Sequence, residues 1–195
     1  MADLTTRERI VSEADRLFYE RGYDYASFAD IADAVGISRG NFYYHFKSKD
    51  EILDAVIERR MTSTSEMLRA WEGQSSSPSE RIKSFILIVI ANRPQIIRHG
   101  CPVGTLCSEL AKIGHPAQPQ SNQLFALFRT WLCQQFSQLG HEVDADALAM
   151  HVLAFSQGVA VLAHVLQDER FVEREAERMC AWLDGIAGEA KTRIE

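Results

Sequence analysis

The stretch from Ser27 to Lys49, SFADIADAVGISRGNFYYHFKSK, constrains this chain more than any other. It dictates two short helices joined by a glycine turn. Ser27 is placed to cap the first, whose Phe28, Ile31, Ala32 and Val35 recur on one face. Gly36 supplies the turn, because a left-handed backbone is cheap for glycine. Ser38 caps a second helix running to Phe46. Phe42 and Phe46 are four apart and share a buried face, which sends Asn41, Tyr43, Tyr44 and His45 to the other faces. Two such helices predict a helix-turn-helix whose second member offers hydrogen-bonding tips to a partner.

Charge supports a DNA partner, but locally. The chain is acidic, with 21 Lys+Arg against 27 Asp+Glu, which excludes a general polyanion binder. Between Ser38 and Ser48, however, lie Arg39, His45 and Lys47 with no carboxylate, and Lys49 follows. A compact basic patch on an acidic molecule suits docking on DNA in one orientation. Arg39, Asn41 and Tyr44 are the candidates for base edges, and Gly40 permits close approach to the groove. Tyr43, His45, Lys47 and Lys49 are assigned to phosphates, joined by the amide and hydroxyl of Ser27 and Ser38. The alternative of a different class is a helical binding protein that uses this patch for another acidic partner.

These residues resemble the TetR family of bacterial transcription regulators. The similarity is sharpest over Phe28–Ala32, Val35–Gly40 and Phe42–Lys49. It extends upstream through Arg9, Ile10, Ala14, Leu17, Phe18 and Arg21–Tyr23, and downstream through Glu51, Ile52 and Leu53. The resemblance implies a ligand-responsive repressor, homodimeric and bound to double-stranded operator DNA, with a small-molecule effector in its C-terminal part. It also implies that the last two helices pack with their two-fold mates as a four-helix bundle.

The rest of the sequence predicts an all-α protein of about nine helices. A helix-turn-helix domain over 1–49 leans on the next helix for stability and joins a helical ligand-binding and dimerisation domain over 50–195. The clearest linker is Gly73–Pro78, and Pro94 interrupts the fifth helix. Ala147–Gln167 lacks any Asp, Glu, Lys or Arg and has near membrane-spanning length. Its His151, Ser156, Gln157, Gly158 and His164, without flanking anchors, mark a buried soluble helix instead. No secretory signal is read in Met1–Arg9, and four scattered cysteines suit a reduced, cytoplasmic chain rather than a disulfide scaffold.

In the last two helices, two sets of residues are assigned to the dimer interface. One is Ala154, Gly158 and Leu162; the other is Val172, Ala176, Met179, Leu183 and Ile186, repeating at three and four. An effector cavity is assigned to Phe85, Val89, Cys101, Val103, Phe125, Phe128, Trp131, His151 and Phe155, an apolar and aromatic set that suits a largely hydrophobic molecule. Gly100-Cys101 is similar to a pair found in a subset of TetR-type regulators, some of which sense electrophiles or oxidants through the cysteine. That makes Cys101 the alternative sensor, ahead of Cys107. No metal or cofactor is assigned, since the spacing of His99, Cys101, Cys107 and His115 does not match paired zinc ligands. No catalytic residue is assigned either: phosphate loops, HExxH and GxSxG are all missing.

Overall fold

Every regular element is a helix in the computed structural model, which describes residues 4–192. The order is α1 Thr6–Arg21, α2 Phe28–Val35, α3 Arg39–His45, α4 Lys49–Gln74, α5 Pro78–Ala91 and α6 Arg93–His99. There follow α7 Pro102–Lys112, α8 Gln118–Ser121, α9 Gln123–Gln138, α10 Ala145–Leu166 and α11 Glu169–Thr192. These eleven segments are the nine expected helices plus two small departures. Asn92 and Pro94 split the fifth helix into α5 and α6, and a single turn, α8, forms around Pro119 before α9. Asp144 precedes α10 without making a side-chain cap bond, and α11 continues to Thr192.

The chain forms two compact units. The first takes the chain up to Ser63 together with Pro102–Leu124; the second takes Thr64–Cys101 and the chain from Phe125 onward. This division is not the linear one at 49/50. Three short helices cannot bury enough apolar surface alone. Ile52, Leu53, Val56 and Ile57 of α4 and Leu106 and Leu110 of α7 therefore complete the core built by Ile10, Leu17, Ile31, Phe42 and Phe46. Arg60, only 9% exposed, ties the same parts together: Nε donates to Asp15 Oδ1 at 2.7 Å and Nη1 to the Pro102 carbonyl at 2.5 Å. A charge so nearly buried is tolerable because it is paired and hydrogen-bonded.

In the second unit α5 packs on α11, and α10 lies against α5, α6 and α11. Along α10, Val152, Leu153, Ser156, Val159, Ala160 and Ala163 are buried, while Met150, Ala154, Gly158, Val161, Leu162 and Val165 are exposed. By length and composition this helix is apolar enough to cross a membrane. Its inward face is nevertheless that of a core helix with protein neighbours.

One interface assignment fails. Val172, Ala176, Met179 and Leu183 are buried inside the single protomer, on the helix that packs against α5. A three-and-four repeat marks a covered face without saying which chain covers it. Ile186 is half-buried, and its carbonyl lies 3.1 Å from His141 Nε2.

The cavity assignments also divide. Phe85, Val89, Phe128 and Trp131 are each buried in the second unit, with Phe85 and Phe128 edge to face at 5.3 Å and Trp131 against Trp71 at 5.7 Å. Phe125 and Phe155 are half-buried. His151 sits on the exposed side of α10 against Trp182, centroids 4.8 Å apart, and leaves the lining. Val103 belongs to the first unit. Cys101 is half-buried, with Gln157 Nε2 donating toward its sulfur at 3.5 Å; Cys107 is buried and donates to the Ser121 carbonyl at 3.4 Å. His115 is occupied elsewhere, as described below.

Candidate nucleic-acid interface

The interface starts from two capped helices. Ser27 Oγ accepts from the Asp30 amide at 3.1 Å, while Asp30 Oδ2 takes the Ser27 amide at 2.9 Å and its hydroxyl at 2.5 Å, a reciprocal capping box. Those bonds hold the Asp30 carboxyl below the usual carboxylate range. Gly36 ends α2 at φ 72°, and its amide and that of Ile37 close back on α2 carbonyls. Arg9 adds a donor to the Val35 carbonyl at 2.7 Å, fixing α1 to the end of α2. Ser38 Oγ accepts from the Asn41 amide at 3.3 Å and starts α3, which ends as Phe46 turns extended.

On α3 the alternation of inside and outside falls where the sequence put it. Phe42 and Phe46 are buried. Arg39, Gly40 and Asn41 are exposed, Tyr44 is 79% exposed, Tyr43 51%, and His45 is half-buried. Gly40 faces open space, so the backbone there is accessible. Tyr43 is not free to swing: its ring stacks on Phe28 at 5.5 Å and 18°, and Phe28 in turn meets Phe42 edge on at 4.9 Å. Between α2 and α3 runs a groove of about 210 Å³ lined by Phe28, Ala29, Ala32, Arg39, Phe42 and Tyr43.

Two phosphate assignments change. Lys49 is turned inward: Nζ donates to the carbonyls of Tyr23 at 3.0 Å and Asp24 at 3.2 Å and sits 4.3 Å over the Tyr23 ring. Ser27 has both its amide and its hydroxyl engaged by Asp30, so neither points a spare donor outward. For Ser27 the acceptor Asp30 stands three residues on, at capping-box spacing, whereas nothing in the sequence brings the Tyr23 and Asp24 carbonyls to Lys49. Lys47 is exposed, and its ammonium folds back on the Tyr43 carbonyl.

The turn before α2 holds residues that the sequence reading passed over. Tyr25 is 84% exposed at its tip. The carboxylate of Glu109 takes the amides of Tyr23 at 2.8 Å and Asp24 at 2.9 Å. Tyr23 OH donates to Asp50 at 2.7 Å and lies 3.2 Å from His115 Nε2, while His115 Nδ1 accepts from the Ala117 amide. Gly22, at φ 90°, leaves the room for Glu109: a Cβ there would sit 3.0 Å from Oε1. A lone aromatic in a turn and a partner 86 residues away give no periodic signal.

Comparison with known proteins decides what this architecture belongs to. Residues 10–56 match the model for bacterial regulatory proteins of the tetR family, and residues 78–178 match the C-terminal domain of LmrA/YxaF-like transcriptional regulators. The chain belongs to the TetR family. Its relatives include an HTH-type transcriptional regulator in the lacX 3′ region of Lactococcus lactis, 31% identical over 86% of this chain and 88% of that one. Another is the HTH-type transcriptional repressor DhaR of a Mycobacterium species, 24% identical over 87% of each. Among solved structures, a TetR transcriptional regulator from Legionella pneumophila superposes with a TM-score of 0.80 at 27% identity, covering 95% of this chain and 99% of that one. As a TetR-family member the protein is a DNA-binding transcriptional regulator and not an enzyme. The α2–α3 pair lies inside the first matched segment.

Proposed function

We propose that the protein is a cytoplasmic homodimeric repressor that reads a near-palindromic operator and is released by a small, largely hydrophobic effector. The observation that carries the DNA half is α3 itself, with Asn41 and Tyr44 facing outward over a buried Phe42 and Phe46. Arg39, Asn41 and Tyr44 read base edges, with Gly40 at the close approach. Tyr43, held by Phe28, joins His45, Lys47 and the hydroxyl of Ser38 on phosphates. The groove beside Arg39, floored by Ala29, Ala32 and Phe28, suits a thymine methyl. The relative DhaR is named a repressor, which supports that sign of regulation.

Dimerisation is supported by the unpartnered apolar side of α10, where Ala154, Gly158, Val161, Leu162 and Val165 lie exposed on one protomer. Two reading helices brought together there span successive major grooves, centres about 34 Å apart or more. The effector site is assigned to the aromatic cluster of the second unit around Phe85, Phe128 and Trp131, and release follows if the liganded form fits that spacing less well.

A gel shift with the intergenic DNA upstream of the gene is the test. Retardation at low salt that competitor DNA of unrelated sequence does not relieve is expected. No shift, with or without hydrophobic candidate effectors, defeats the reading.

A further inference from the structure

We infer that Glu109 is a positioning residue for operator binding: from α7 its carboxylate sets the turn that delivers the start of α2 to DNA. The inference rests on the α2–α3 reading surface proposed above. Where α1 ends, the chain turns through Gly22–Ala26, closed by the Ala26 amide on the Gly22 carbonyl at 3.3 Å. Two residues of this turn, Tyr23 and Asp24, have their backbones held from both sides. Glu109 receives their N–H groups, those of Tyr23 and Asp24, and Lys49 donates to their carbonyls.

The side chain between them is fixed as well, since Tyr23 is packed edge on against Phe18 at 5.2 Å and His115 at 5.0 Å and is bonded to Asp50. Glu109, Lys49 and the packing of Tyr23 thus act together to hold the turn in this conformation. At its exit stand Tyr25, projecting into solvent, and Ser27, the cap from which α2 starts. In helix-turn-helix docking the first helix of the pair crosses the DNA backbone, so the height of that cap above the backbone is set by this turn.

The requirement is for an ionised carboxylate. Here each amide has its own oxygen, Tyr23 on Oε2 and Asp24 on Oε1, a geometry that an aspartate is too short to reach and in which a glutamine presents an NH2 to one of the two donors. Glu109 is itself anchored, because α7 buries Leu106 and Leu110 in the core of the first unit and its first carbonyl, on Pro102, is held by Arg60.

The test uses the full-length protein and an operator selected in vitro by the wild-type chain. Wild type and Arg39→Ala on that DNA report on the reading surface alone: if wild type selects no preferred sequence, the DNA reading fails and not the role of Glu109. Glu109→Gln, nearly isosteric, is expected to bind the operator about tenfold more weakly, the loss of roughly one charge-assisted hydrogen bond. Its melting temperature should stay near that of wild type. Amide exchange at Tyr23 and Asp24 should accelerate, while exchange at Leu17 in α1 should not. Glu109→Asp should not restore affinity. Glu109→Gln binding as tightly as wild type overturns the inference. So does a weakening that tracks the folded fraction and disappears on cooling, because that is stability and not positioning.

Discussion

At the level of single side chains, two neighbouring lysines that the sequence treats alike have different surroundings. Lys47 is exposed beside α3 and Lys49 is spent on the Tyr23 and Asp24 carbonyls. Lys47→Ala is expected to weaken binding to all sequences alike and to reduce the salt-dependence slope by about one unit, read by fluorescence anisotropy across a salt series. Lys49→Ala should leave that slope unchanged and lower the melting temperature. Tyr23 adds a pH prediction. Burial first, then the bond to Asp50, holds its phenol above the ordinary 10.0. A folded value raised above the unfolded one gives stability that is complete below pH 10 and is lost as pH rises past it. Thermal melts should fall above pH 10 in wild type, and Tyr23→Phe should flatten that fall. The exposed and buried faces of α3 were legible from spacing alone. What was not legible is where a long cation bends, because that depends on carbonyls brought from a different part of the chain.

At the level of helices, periodicity located faces and left their partners open. Leu183 has no exposed surface in one protomer, and its helix α11 packs against α5. Leu183→Ala should therefore cost about 2–5 kcal/mol of stability, measured by urea denaturation, without changing the sedimentation behaviour of the folded fraction. Leu162, on the outward side of α10, is the residue whose replacement tests association. Leu162→Glu should give folded monomers in analytical ultracentrifugation that no longer hold the operator; a dimer that binds DNA normally places the interface elsewhere. The helix boundaries of α1 to α3 were readable because each has a cap with a physical signature: Thr5 with Glu8, Ser27 with Asp30, Ser38, and glycine at Gly22 and Gly36. The split at Asn92 was foreshadowed by Pro94. The inward turn of Val172 and Leu183 was not, since both possible partners of α11 are apolar helices.

For the whole molecule, no periodic signal marks α7 as part of the first unit, called the head below. The induction proposed above would start from a ligand in the second unit and end at the DNA surface of the first. Cys101→Ser should leave induction by a non-covalent hydrophobic ligand intact in a reporter assay, and should abolish it if the sulfur is the sensor. The composition of the head has a second consequence, for synthesis. Its core draws on the chain up to Ser63 and on Pro102–Leu124. A chain leaving the ribosome from its N-terminus exposes the apolar sides of α1 to α4 until Leu106 and Leu110 arrive to cover them. Residues up to Ser63 are thus translated well before the head can finish folding. Exchanging heads between related regulators by a single crossover after residue 63 should yield insoluble protein, whereas a graft that also carries residues 102–124 should stay soluble.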